Sequence, residues 1–205
     1  MKLIETKNLT KKFGSFTANN PITFAVNKGE IHALIGENGA GKSTLMNMLY
    51  GLLTPTSGEI FFEGNKVSIS NPKRAIELGI GMVHQHFRLV PSLTVAENIV
   101  LGTEKIFISK RDSVEKINTL IKQYGFNLDA RDRVDRLSVG KQQQVEILKM
   151  LYRDIDLLIL DEPTAVLGPT EIDEFIDQLT ELKEKGKTII IITHKLGEVM
   201  KSSNR

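Results

Sequence analysis

Apolar positions in the first third of the chain fall in short alternating runs, the pattern of strands. Such runs cover residues 2–6, 22–26 and 31–35. The stretch Asn27-Lys28-Gly29-Glu30 between the last two is a turn signal, so 22–26 and 31–35 are expected to pair as a hairpin. Residues 59–63 and 67–69 flank Gly64-Asn65, a second hairpin signal. A strand is expected over 80–83, after a short helix near 72–78.

The period then changes. Residues 95–101 are apolar-rich after Pro91-Ser92, and Val114, Ile117, Leu120, Ile121 and Tyr124 fall on one helical face. Leu137-Ser138-Val139-Gly140 reads as the start of a helix over 141–151. Residues 157–160 are wholly apolar, as in a strand buried on both faces of a parallel sheet. Ile172, Phe175, Ile176, Leu179 and Leu182 make a helical stripe that Gly186 stops, and 188–192 is a second buried strand. Strand, helix and strand at this spacing predict a right-handed βαβ unit. A further helix is expected near 195–201. The fold class is α/β: a nucleotide-binding core, an N-terminal antiparallel β lobe and an inserted helical lobe over about 88–150.

Composition narrows the function by exclusion. The 205 residues carry 27 Lys plus Arg against 25 Asp plus Glu, a net charge of +2, which leaves no electrostatic footprint for nucleic acid. With no cysteine, thiol catalysis and zinc–thiolate sites are excluded. No apolar run approaches the roughly 18–20 residues a membrane helix needs. Residues 1–13 show no signal-peptide core before charge returns. Any membrane role is therefore expected to run through a membrane-embedded partner.

Three motifs carry chemistry. Gly36, Glu37, Asn38, Gly39, Ala40, Gly41, Lys42 and Ser43 match G-x-x-x-x-G-K-[ST], after an apolar strand and before the helical segment that opens at Thr44. Glycines let such a loop turn its N–H groups onto phosphate oxygens, and the helix N-terminus adds its dipole. Lys42 is expected on the β- and γ-phosphates and Ser43 on Mg²⁺. Second, the strand 157–160 runs into Asp161 and Glu162. Asp161 fits the metal-side acid and Glu162 a general base for the attacking water. Third, Ser138 caps a helix whose N-terminus is itself an anion site. Two phosphate-seeking helix starts in one chain make sense if one serves a nucleotide on a partner subunit.

The ordered set of the phosphate loop, Gln85, the segment 137–142, Asp161-Glu162 and His194 resembles the nucleotide-binding subunit of ABC transporters. The resemblance covers essentially the whole chain. It is most similar to bacterial importers of simple sugars and nucleosides in residues 83–99 and 162–167. The resemblance implies a P-loop NTPase with a RecA-like parallel core that binds ATP and Mg²⁺ and hydrolyses ATP. It implies that Phe13 stacks on adenine and that Gln85 lies between Mg²⁺, the attacking water and the membrane subunit. Ser138 and Gly140 would meet the γ-phosphate on an opposite cassette, and His194 would contact the γ-phosphate of its own. The implied partners are a second cassette (a tandem half or a homodimer), transmembrane permease subunits and, indirectly, an external substrate-binding protein. The implied location is peripheral, on the cytoplasmic face of the bacterial plasma membrane. Residues 1–205 are expected to form one cassette whose C-terminal part is cut short.

Some positions depart from the family pattern. Val139 and Lys141 stand where Gly and Gln are commoner, and Gly168 stands where an Asp usually ends the segment after Glu162. His84 and His86 flank Gln85 but make a poor metal pair without a further ligand. His32 reads as structural. Arg131, Arg133 and Arg136 alternate with Asp129, Asp132 and Asp135, a solvated charged surface. An ATPase of DNA repair or chromosome structure would need a long coiled coil between Gln85 and Ser138, where no heptad run occurs. A translation-associated cassette would need no membrane partner, and the segment 91–99, which resembles a transporter-contacting region, argues against it. Glu162 and His194 argue against a non-hydrolysing ATP-binding module.

Overall fold

The computed structural model of the chain describes residues 1–85, 87–103 and 110–194. In chain order its elements are β1 (Lys2–Phe13), β2 (Phe16–Asn27), β3 (Ile31–Ile35), α1 (Lys42–Leu49), β4 (Ser57–Phe62), β5 (Asn65–Val67), α2 (Pro72–Glu77), β6 (Ile80–Val83), α3 (Val95–Val100), α4 (Lys110–Gln123), α5 (Val139–Tyr152), β7 (Leu157–Asp161), α6 (Pro169–Glu184) and β8 (Thr188–Thr193). The helix expected near 195–201 lies outside the described residues.

The strands divide between two four-stranded sheets, ordered β2-β1-β4-β5 and β3-β8-β7-β6. The first is antiparallel throughout. Its β4–β5 hairpin turns through Glu63 and Gly64, whose φ values of 50° and 80° are the left-handed pair that a two-residue turn of this kind requires.

The expected pairing of 22–26 with 31–35 does not form. β2 pairs instead with β1, around the turn at Gly14-Ser15. β3 leaves that sheet and runs parallel to β8, Ile31 opposite Ile189 and Ile35 opposite Thr193. The turn at 27–30 is a passage between sheets. It is held there by the Gly29 N–H donating to Thr188 Oγ1 at 2.9 Å and the Ile189 N–H donating to the Glu30 carbonyl at 3.0 Å. Local turn chemistry serves both outcomes; the neighbouring β1, which takes β2, and the distant β8, which takes β3, decide between them.

Period-two alternation explains the layers. On β7, Leu157 and Ile159 face one core while Leu158 and Leu160 face the other; on β8, Ile190 and Ile192 oppose Ile189 and Ile191 in the same way. One core joins the parallel sheet to α1 and the antiparallel sheet through Leu45, Met46, Ile4 and Leu9. The other joins it to the helices through Ile99, Ile117, Val145, Leu148 and Phe175. Both faces are thus covered, which is why these strands read as continuous apolar runs. α3, α4 and α5 fall in the stretch expected as a helical lobe, and α3 starts at a capping box in which Thr94 Oγ1 accepts from the Glu97 N–H at 3.2 Å.

Candidate functional site at the strand ends

Because β3, β8, β7 and β6 are all parallel, their C-terminal ends share one edge of the sheet. The loop 36–41 leaves β3 there, Asp161 and Glu162 end β7, His194 follows β8, and Gln85 follows β6. Such an edge is where open α/β sheets place ligands.

Gly41 is the N-cap of α1, in left-handed conformation at φ 85° and with no side-chain cap. The first-turn N–H groups therefore lack intrahelical partners and are free for an anion. A Cβ on Gly41 would lie 2.6 Å from the Ala18 carbonyl oxygen and 2.6 Å from Asn19 Nδ2, so glycine is required by space as well as by φ. Asn19 is only 3% exposed, and its Nδ2 donates to the Gly41 carbonyl at 3.0 Å. This buttress under the loop has no signal in the sequence, where Asn19 is one polar residue on a strand. Lys42 Nζ donates to the carbonyls of Gly36 at 2.6 Å and Glu37 at 2.8 Å, which folds the ammonium back over the loop. Glu37, Asn38, Gly39 and Ala40 form the exposed rim, and Thr44 sits half-buried in the first turn of α1.

Ser43 Oγ donates to Asp161 Oδ1 at 3.5 Å. Burial raises the Asp161 carboxyl above the ordinary aspartate range, and the adjacent Glu162 charge adds to this; the Ser43 hydrogen bond and Lys42 work against it. A hydroxyl and a carboxylate side by side are hard oxygen donors. Mg²⁺ takes few such protein ligands, completing its shell with phosphate oxygens and water, so the pair fits that ion. Among the described residues no group of three His, Cys, Asp or Glu forms a protein-only metal cage.

Glu162 is the centre of a second contact set. Gln85 Nε2 donates to Glu162 Oε2 at 3.5 Å, and His194 Nδ1 lies 3.3 Å from Glu162 Oε1. The ends of β6 and β8 thus reach the two oxygens of one carboxylate. The Glu162 backbone has φ 46°, a left-handed value that costs a non-glycine residue on the order of 1–3 kcal/mol. Nothing in the residue pattern announces this strain.

Phe13 lies at the β1–β2 turn, 48% exposed, with Lys11 Nζ 5.0 Å from its ring centroid. Its exposed ring surface is of the kind that stacks on a planar base. Ser138 and Gly140 are elsewhere. Ser138 caps α5, its Oγ accepting from the Lys141 N–H at 3.4 Å. Both residues line a cavity of about 100 Å³ with Gln143, Leu167, Glu171 and Phe175, none of which belongs to the Asp161–Glu162 cluster. His84 packs edge-on against Tyr50, and burial, aided by Arg88, lowers its pKa, which marks a neutral packing residue. His86, the other member of the weak metal pair, lies outside the described residues. His32 lies beside Glu30, Nδ1 to Oε1 at 3.5 Å, in a structural role.

A glycine-rich loop at a helix N-terminus, beside a strand that ends in two carboxylates, defines a phosphate-loop nucleotide-binding cassette. Residues 19–165 match the ABC transporter family, and the chain belongs to that family. Among curated relatives it is 50% identical over 206 residues to the nucleoside import ATP-binding protein NupA of Lactococcus lactis subsp. cremoris, covering 99% of this chain and 41% of that protein. It is 52% identical over 191 residues to the guanosine import ATP-binding protein NupO of Bacillus subtilis, covering 92% of this chain and 38% of NupO. It is 44% identical to the ribose import ATP-binding protein RbsA of Yersinia pestis, covering 99% and 41%. The chain spans about two fifths of the length of the curated relatives it matches. Among solved structures it is similar to the ADP conformation of MJ1267, an ATP-binding cassette of an ABC transporter, with TM-score 0.88 and 29% identity over 100% of this chain and 85% of that one.

Proposed function

We propose that this chain is an ATP-binding and ATP-hydrolysing cassette that energises a membrane importer of simple sugars or nucleosides. One observation carries the hydrolytic reading: Glu162 has both carboxylate oxygens held, by Gln85 and by His194, beside the Ser43–Asp161 pair. The similarity to nucleoside and ribose import proteins supports the import reading.

Each residue then has a role. Phe13 stacks on adenine. The N–H groups of the loop 36–41 and of the first turn of α1, including Ser43 and Thr44, receive the phosphates. Lys42 exchanges the Gly36 and Glu37 carbonyls for the β- and γ-phosphate oxygens. Ser43 and Asp161, with Gln85, would hold Mg²⁺, which would supply electrostatic stabilisation of the charge on the phosphates. Glu162 accepts a proton as water attacks the γ-phosphorus; the bond to the β-phosphate oxygen breaks, leaving ADP and inorganic phosphate. His194 orients that carboxylate and meets the γ-phosphate. Ser138 and Gly140, remote from this cluster, serve the nucleotide of a second cassette.

Residues 1–205 act as one cassette with an inserted helical lobe. The partners are a second cassette, in tandem or as a homodimer, and transmembrane permease subunits, with an external binding protein acting through them. No helix among the described residues is long and apolar enough to cross a membrane, and the chain sits peripherally at the cytoplasmic face of the plasma membrane. Equilibrium binding of ATP with Mg²⁺ tests the reading. Wild type is expected to bind and Lys42→Ala to lose at least about tenfold in affinity, as for loss of a charge-assisted contact. A folded wild type that binds no ATP would overturn it.

A further inference from the structure

We infer that Gln143 is a positioning residue for Glu162, a buried amide that ties the helix starting at Ser138 to the backbone of the general base. The inference rests on the hydrolytic role proposed above for Glu162.

Gln143 is 1% exposed, and its Nε2 donates to the carbonyl of Pro163 at 2.8 Å. The amide cannot be reversed, since that would set its oxygen against the Pro163 carbonyl. Among the described residues its Oε1 accepts no hydrogen bond, so the Pro163 bond is the one that ties the side chain to them. A buried amide carries a desolvation cost that an apolar residue of the same size does not. What glutamine offers at this position, and an apolar residue would not, is the bond to the Pro163 carbonyl.

The bond lands at a sensitive place. Pro163 has no N–H, so its carbonyl is the only main-chain polar group by which it can be held. The residue before it is Glu162 at φ 46°. On the upstream side, the Glu162 N–H donates to the Ile192 carbonyl of β8 at 2.9 Å. On the downstream side the chain turns at once, the Ala165 N–H donating to the Glu162 carbonyl at 3.2 Å. The strained residue is thus clamped by β8 before it and by Gln143 after it. Gln143 stands on α5, the 14-residue helix that Ser138 caps. A shift of that helix carries the amide, the Pro163 carbonyl and the direction of the Glu162 side chain with it. The helix offered to the partner's nucleotide and the base of the chain's own site are joined by one hydrogen bond.

Gln143→Met keeps length and apolar bulk but removes the donor. The measurements are kcat and KM for ATP, equilibrium ATP affinity, and amide hydrogen exchange along the chain. The expected result is kcat lower by at least about tenfold, as for a misplaced catalytic group. ATP affinity is expected to stay within about twofold, because no nucleotide contact is removed. Exchange should rise at the Glu162 and Ala165 amides and stay unchanged in β7. Gln143→Asn, which keeps the amide but draws it back by one methylene, should give an intermediate kcat. An unchanged kcat would overturn the inference. So would exchange rising throughout α5 and β7 together, which marks a merely structural residue. Should wild type bind ATP without hydrolysing it, the hydrolytic reading falls on its own, and the local exchange pattern alone decides whether Gln143 holds Glu162.

Discussion

Ser43 and Asp161, 118 positions apart in the chain, meet at 3.5 Å, hydroxyl to carboxylate. β8 lies between β3, which leads into the loop and helix that carry Ser43, and β7, which ends in Asp161, so the chain after β3 passes the end of β8 to reach the end of β7. That path is what brings a helix N-terminus, a lysine and two carboxylates to one edge. It also leaves Asp161 half-buried beside a like charge, with its carboxyl shifted upward.

That shift fixes a sign. A carboxyl whose folded pKa is raised favours the folded state when protonated; this contribution is complete below the ordinary aspartate value of about 4 and is lost as pH rises through the folded value. At neutral pH Asp161 therefore destabilises the nucleotide-free chain. Asp161→Asn is expected to raise Tm at pH 7, with the gain vanishing near pH 4, while ATP hydrolysis is lost. The gain should be small, because the group is partly solvent-screened. Thermal unfolding of the two proteins at both pH values checks it.

The two left-handed glycines of the loop should respond differently. Gly39 has φ 86° and open space where a Cβ would stand, so Gly39→Ala costs only the conformational penalty, about 1–2 kcal/mol. Gly41→Ala adds a collision with the Ala18 carbonyl and with Asn19. It is expected to lower Tm further and to weaken ATP binding at least about tenfold, since the N–H groups proposed to receive the phosphates must shift. Calorimetry and nucleotide titration of both variants separate the two costs.

Asn19→Ala removes the hydrogen bond to the Gly41 carbonyl and the packing beneath it. The expected destabilisation is about 1 kcal/mol or somewhat more. ATP affinity should fall several-fold with little change in kcat, the mark of a residue that shapes binding. Denaturant unfolding with steady-state kinetics reads both.

The parts of this molecule that were legible in the sequence are those specified by neighbours in the chain. The loop 36–43 carries its glycines and lysine at fixed spacing, β7 announces itself by four apolar residues before two carboxylates, and Ser138 stands where a helix must be capped. The passage at 27–30 was not legible as a crossing between sheets, because its turn chemistry is that of a hairpin and the partner that draws β3 away is β8, far along the chain. Asn19 beneath Gly41, the left-handed Glu162 and the Gln143–Pro163 bond were silent for the same reason. Each depends on a meeting between segments distant in sequence, and none alters the local pattern of residue types.

The most direct test of the account is ATP turnover by wild type against Glu162→Gln, with bound nucleotide and molecular mass followed in ATP. Glutamine keeps the size of the side chain and removes the carboxylate proposed as the base. The account predicts that wild type hydrolyses ATP and that the variant loses at least about 100-fold in kcat, the usual worth of a general base. The variant should still bind ATP and should gain an ATP-held dimer. Turnover in Glu162→Gln close to that of wild type would contradict the assignment of Glu162 as the base and the reading of the corner built around it.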